Sequence, residues 1–295
     1  MARFTVMTFN IRYDEEADGR HSWRHRRDLA IGTIRHHDPD LLGLQEPTAA
    51  QWDDIATALP GFLTFGTPRA ELHDTDIDPQ GGFIRADRFV RRDSGMFWLS
   101  DTPEVPGSLS WPNDWGARAC GWARLHDRQA DRDLLFACTH FDTNAGAWLP
   151  SAKVLHIELD TVAGGTPIVL VGDFNCAARS EAHTYLRLDA GYRDAWTEAG
   201  HADEGIVTYN GFMPSTRLPG DPRQLQECQE RGSVPIDDEF GHYPPHVRTH
   251  GNYRIDWILL RGALKCVSAA VDCRSDRGLL PSDHFPAIGT IEWSL

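Results

Sequence analysis

The stretch TPIVLVGDFNC sets the terms for the rest of the chain. Ile168 to Val171 form a continuous apolar run between Pro167 and Gly172, the pattern of a short strand covered on both faces. The run breaks at Gly172 into Asp173 and Asn175, two poor strand formers that are costly to bury without partners. A tight turn is the plain explanation of one such break, because Asp and Asn bond their own backbone. The break recurs, however. Strand-like runs at 3–11, 40–46, 134–141, 166–172, 254–262 and 286–293 meet Asn10, Glu46, His140 with Asp142 and Asn144, Asp173 with Asn175, Asp256, and Asp283 with His284. Six polar strand ends drawn from the whole chain point to one site where strand ends converge.

Helical stretches lie between several of these runs. The segment after Ser22 has helical composition up to Pro39, and Thr48 and Gln51 have capping-box spacing ahead of Trp52, Ile55 and Leu59. Leu155, Leu159 and Val162 share one helical face, and SEAHTYLRLDAG opens on a Ser cap and stops at a Gly. Alternating strands and helices without a low-complexity linker predict one α/β domain over 1–295. The exception is 213–252, rich in Pro, Gly and charge, which reads as a long loop insertion.

Composition narrows the function classes. A net charge of −14 argues against broad, nonspecific binding to nucleic acid or an anionic membrane. No run approaches the roughly 20 apolar residues of a membrane span. The N-terminus enters strand-like alternation without the pattern of a signal peptide, so the expectation is a cytoplasmic protein with no membrane and no obligate protein partner. The 6 cysteines form no CxxC pair and read as reduced, structural thiols.

Carboxylate and amide oxygens are the ligands a hard cation such as Mg²⁺ prefers, in near-octahedral geometry with several waters retained. Two histidines in an oxygen-rich site suit proton transfer or phosphate contact. Together these parts describe metal-assisted attack of water on a phosphate ester.

The ordered set TFNIRYD, LLGLQE, THFD, GDFN, RIDWI and SDHFPA resembles the endonuclease/exonuclease/phosphatase superfamily, from Phe4 to about Trp293. That group includes pancreatic-type DNases, apurinic endonucleases, neutral sphingomyelinases, inositol-polyphosphate phosphatases and deadenylases. The FNIRYD opening, DSGMFWLS and TYNGF look closer to a bacterial branch of hydrolases than to the named nucleases. The resemblance implies a four-layer α/β/β/α sandwich: two mainly antiparallel sheets face to face, with helices outside. It implies that Glu46 is the principal ligand of Mg²⁺ or Mn²⁺, with Asn10 beside it and Asp283 completing the set. It implies that Asp173 orients or deprotonates the attacking water, that Asn175 holds a phosphate oxygen, and that His140 and His284 contact the phosphate. Asp256 would bond His284 and favour its charged form; an ion pair of Asp256 with Arg254 or Arg261 is the alternative.

The outer contacts are open to two readings. Asp142 and Asn144 line the pocket or cap a loop, and Arg118 is a clamp for a second anionic group or a surface residue. Trp111 and Trp115 offer ring faces for stacking, whereas Trp122 reads as core. His242, His246 and His250 recur every four residues downstream of Cys228, but Pro244 and Pro245 spoil helical zinc geometry, so a lid or pocket-edge loop is expected there. The expected function is hydrolysis of a phosphate ester, mono- or diester, on a small or specialised phosphorylated substrate. An endo- or exonuclease is the alternative, and a catalytically silent binding module stands behind both.

Overall fold

The computed structural model describes residues 2–66, 80–203, 206–212 and 254–294. The 213–252 insertion and its histidines, together with Cys228, lie outside the described residues. In chain order the strands are β1 (Arg3–Asn10), β2 (Leu41–Gln45), β3 (Phe62–Gly66), β4 (Gln80–Arg85), β5 (Phe89–Trp98), β6 (Ala119–Asp127), β7 (Arg132–His140), β8 (Ile168–Asp173), β9 (Arg193–Asp194), β10 (Asp256–Arg261), β11 (Leu264–Val271) and β12 (Ala287–Trp293). The helices are α1 (Trp23–His37), α2 (Ala49–Ala58), α3 (Ala145–Ala163), α4 (Glu181–Leu188) and the single turn α5 (Ala195–Glu198).

Two mixed six-stranded sheets result, ordered β11-β12-β1-β2-β4-β3 and β5-β6-β7-β8-β10-β9. Side-chain alternation explains how they stack. In β1, Phe4 and Val6 enter the core between the sheets, while Met7 and Phe9 join Trp23, Ile34 and Trp52 of α1 and α2. In β8, Val169 and Val171 face the other sheet, while Ile168 and Leu170 pack with Leu155 and Leu159 of α3 and Leu186 of α4. The layers are therefore helices, sheet, sheet, helices, as the resemblance implies. Thr48 makes the capping box with Gln51, and Ser180 accepts from the His183 N–H.

Strand direction assembles the site. Each sheet holds one parallel pair: Asn10 lies opposite Gln45 at the end of β1 and β2, and His140 lies opposite Asp173 at the end of β7 and β8. Antiparallel β10 starts at Asp256, directly opposite Asp173, and β12 starts just after Asp283 and His284. Four strand ends and two strand beginnings thus meet at one edge of the sandwich.

Candidate active site

Asn10, His140, Asp173 and Asp256 share parity with the inter-sheet residues Val6, Cys138, Val171 and Ile258, so all four project between the sheets. Asn10 Nδ2 consequently donates across the gap to Asp173 Oδ2 at 3.0 Å. Strict alternation would send Glu46 to the helix side with Leu42 and Leu44. Its φ of 65°, just before Pro47, turns it back, and Asn10 Nδ2 donates to its Oε1 at 3.0 Å. Arg12 (φ 53°) and Asn175 (φ 49°) are also left-handed and lie two residues beyond the ends of β1 and β8. A left-handed non-glycine residue costs on the order of 1–3 kcal/mol, and such strain gathers where side chains must be re-aimed.

Asp173 is the hub. Its Oδ2 lies 3.3 Å from His140 Nε2 and 3.6 Å from His284 Nε2, and its Oδ1 accepts the Asn175 N–H at 2.9 Å. Burial alone would raise its pKa, but the imidazoles of His284 and His140 hold it well below the usual carboxylate range. His284 Nδ1 lies 2.9 Å from Asp256 Oδ2. Burial disfavours the imidazolium, yet the charges of Asp256 and Asp173 win and push its pKa up to about 10. Asp256 pairs with His284 rather than with either arginine: Arg254 bonds Asp194 and Asp203, and Arg261 bonds Asp160. Burial raises the Asp256 carboxyl, and its Oδ1 has no hydrogen-bond partner among the described residues.

Glu46 and Asp283 meet beside this cluster. Burial raises the Asp283 carboxyl above its usual range despite His284 and Arg12, and the like charge of Glu46 adds to the shift. Arg12 Nε lies 4.0 Å from Asp283 Oδ2 and 3.0 Å from Asp18 Oδ2.

The donor chemistry tests where a cation fits. Asp173, Asp256 and His284 present ligand atoms within 4.8 Å of one another, all buried, and form a candidate metal-binding group. With both ring nitrogens of His284 facing carboxylates and its pKa raised, a proton already supplies positive charge there. The oxygens of Glu46 and Asp283, repelling each other beside Asn10, suit a hard divalent cation.

The outer candidates separate. Arg118 is buried, with Nη1 3.1 Å from His140 Nδ1 and Nε 3.5 Å from Asp142 Oδ2. Asp142 is buried and accepts the backbone N–H groups of Asp114, Trp115 and Asn144. Asn144 caps α3 by accepting from Gly146 N–H, and its amide donates to Asp114. Trp111 and Trp122 pack against the core under α3, while Trp115 is 64% exposed.

The sequence reading passed over several residues that hold this geometry. Thr208 Oγ1 accepts the Asp256 N–H, Asn210 N–H donates to the Asp283 carbonyl, and the Tyr209 ring packs on His284 at 5.0 Å. Ser282 Oγ donates to the Asn10 carbonyl, joining the beginning of β12 to the end of β1. Arg26, fully buried, donates to the carbonyls of Ile11, Arg12 and Pro281. TYNGF and SDHFPA stand out in the sequence; Arg26 carries no sequence signal, because its partners are backbone carbonyls, which every residue type supplies.

A family model described as Endonuclease/Exonuclease/phosphatase family matches residues 7–284. The chain belongs to that family. Its members are in general metal-dependent phosphoesterases. An endonuclease/exonuclease/phosphatase from Bacteroides vulgatus superposes with a TM-score of 0.80 at 25% identity, covering 100% of both chains. A mannosyl-6-phosphatase from Bacteroides thetaiotaomicron VPI-5482 superposes with a TM-score of 0.79 at 23% identity, over 98% of this chain and 100% of that one. Among curated proteins, uncharacterized protein L388 of Acanthamoeba polyphaga mimivirus is 26% identical over 169 residues, 52% of this chain and 60% of its own length. The chain therefore spans less than two thirds of that relative.

Proposed function

We propose that this family member is a Mg²⁺- or Mn²⁺-dependent phosphoesterase acting on a small phosphorylated substrate. The observation that carries the reading is Asp173: a buried carboxylate kept ionised by two imidazoles, within reach of Asn10 and Asn175. Such a group orients or deprotonates the attacking water. Glu46, Asp283 and Asn10 would hold the cation, which when bound supplies charge stabilisation at the phosphoryl oxygens. His284, charged through Asp256, donates to the phosphate as negative charge builds on it. Asn175 holds a second oxygen. The reading keeps a cytoplasmic setting and no obligate protein partner.

The acidic net charge and the fold shared with a mannosyl-6-phosphatase favour a small substrate over bulk nucleic acid. The exposed Trp115 is the one observation that favours the nuclease alternative, because an exposed indole can stack on a base.

The test compares a chromogenic phosphomonoester with its diester in Mg²⁺, Mn²⁺ and EDTA, with Asp173→Asn as the contaminant control. Metal-dependent turnover lost in the variant supports the reading. Turnover that survives EDTA, or survives the substitution, removes it.

A further inference from the structure

Arg26 lies near the start of α1, closed to solvent, and the acceptors of its guanidinium are main-chain carbonyls. Nε donates to His21 at 2.7 Å. Nη1 donates to Ile11 at 2.5 Å and to Pro281 at 3.1 Å, and Nη2 to Arg12 at 2.7 Å and to Tyr13 at 3.4 Å. A guanidinium has five N–H groups, so each finds an acceptor here. Burial lowers its pKa to about 10, which leaves it charged at neutral pH. A buried charge bonded to neutral groups alone is costly, and Met or Leu would fill the same space without that cost.

The charge fixes the orientation of three successive peptide groups. In a trans peptide the C=O and the following N–H point in opposite directions. The carbonyls of Ile11, Arg12 and Tyr13 all converge on Arg26, helped by the left-handed turn at Arg12. The N–H groups of Arg12, Tyr13 and Asp14 must therefore point away from it, and each meets an acceptor. Arg12 N–H donates to Asn10 Oδ1 at 2.9 Å, Tyr13 N–H to Glu46 Oε2 at 3.2 Å, and Asp14 N–H to Gln51 Oε1 at 3.1 Å. The first bond settles which end of the Asn10 amide faces the carboxylates, so that Nδ2 donates to Glu46 Oε1 and Asp173 Oδ2. The second holds the other oxygen of Glu46. Nη1 also joins this segment to the Pro281 carbonyl, two residues before Asp283.

We propose that Arg26 is a positioning residue for the cation site: by gathering these carbonyls it sets the peptide planes whose N–H groups orient Asn10 and Glu46, and it ties both to the segment carrying Asp283. The role rests on the reading of Asn10, Glu46 and Asp283 as the cation's ligands.

The experiment titrates the whole chain with Mn²⁺, following the free ion by its paramagnetic resonance signal, in wild type, Arg26→Met, Arg26→Lys and Arg88→Met. Arg88 is a second buried arginine, bonded to Asp127 at 3.0 Å, and controls for the loss of any buried guanidinium. Arg26→Met is expected to raise the Kd for Mn²⁺ roughly 10- to 100-fold. Arg26→Lys keeps the charge but has three N–H groups for five carbonyls, so a smaller rise is expected. Arg88→Met is expected to melt lower than wild type and to bind Mn²⁺ as wild type does. Arg26 variants that melt lower yet keep the wild-type Kd overturn the proposal, and so does an equal weakening in Arg88→Met. A measurement on the wild type alone carries the test if neither Arg26 variant folds. Five bonded N–H groups predict resolved, slowly exchanging Nη hydrogens for Arg26 in ¹H–¹⁵N spectra, and hydrogens averaged by free rotation overturn the proposal. Wild-type protein that leaves the Mn²⁺ signal unchanged removes the metal reading and this role with it; wild-type binding that the Arg26 variants share removes this role alone.

Discussion

Asp256 holds His284 at 2.9 Å, Oδ2 to Nδ1, with both side chains closed to solvent. The two residues are 28 apart in sequence; Asp256 begins β10 and His284 lies just before β12, in different sheets, so the pair exists only once the sandwich has closed. Asp256→Asn keeps an oxygen for the Nδ1–H but removes the charge that favours the imidazolium. The expected outcome is a fall in kcat of about 100-fold or more, as for loss of an acid–base or charge-stabilising group. Steady-state kinetics on the ester preferred by the wild type check it, and activity within a few-fold of wild type would remove Asp256 from the machinery.

Glu46 and Asp283 repel one another, and that predicts how the protein responds to metal. Mg²⁺ at about 100 times its Kd should stabilise the fold by about 2.7 kcal/mol, since an unfolded chain offers no such site. Asp283→Asn should lose that response, and in EDTA it should melt above the wild type, because burial and Glu46 disfavour the charged carboxyl. Thermal melts with and without Mg²⁺ measure both. A variant still stabilised by Mg²⁺ would place the ion elsewhere.

Asp194 sets part of the acid limit. It accepts from His183 and Arg254, and although burial raises its pKa, Arg254 and the His183 hydrogen bond bring it down to about 2. A folded pKa below the unfolded value of about 3.9 means the contribution is complete above pH ~4 and is lost as pH falls toward 2. Asp194→Asn should cost about 3–5 kcal/mol at pH 7, because Arg254 then stays buried with Asp203 as its remaining partner. It should also flatten the pH dependence of stability between 4 and 2. Urea unfolding across that range tests the pair of expectations; a parallel pH profile in the variant would refute them.

Gly172 lies opposite Thr139, one residue before the His140–Asp173 pair. A Cβ there would sit 2.2 Å from the Thr139 carbonyl oxygen. Gly172→Ala must therefore part β7 from β8 at the site, at a cost of roughly 1–3 kcal/mol, and should reduce turnover as well. Wild-type stability by denaturant titration would contradict this.

Trp115 offers the converse case. At 64% exposure its indole contributes little to the core, so Trp115→Ala should leave stability within about 0.5 kcal/mol of wild type. If the indole meets substrate, the change appears in KM and leaves kcat alone. A large drop in melting temperature would show that the ring packs instead.

The sequence by itself determined the material of the site. Asn10, Glu46, Asp173, Asp256 and Asp283 interrupt or end apolar runs, where a polar group needs a reason to be, and the motif order identifies the family. The capping box at Thr48 and Gln51 and the cap at Ser180 were legible because their partners lie three residues away. Strands β3, β4, β5, β6, β9 and β11 escaped the reading: among them, QGGFIR is rich in glycine, ACGWARLHD mixes polar with apolar residues, and LKCVSAAV is short on large side chains. Their pairing is settled by neighbouring strands, which a local pattern does not contain.

Tertiary structure decided the partners. That Arg118 meets His140 and that Arg254 serves Asp194 rather than Asp256 follow from which strand ends lie side by side. The left-handed turn at Glu46 reverses the direction that strand alternation assigns to it. Period and composition report which residues are buried; they carry no information about which buried charge faces which, because that depends on contacts between segments from about twenty to more than a hundred residues apart.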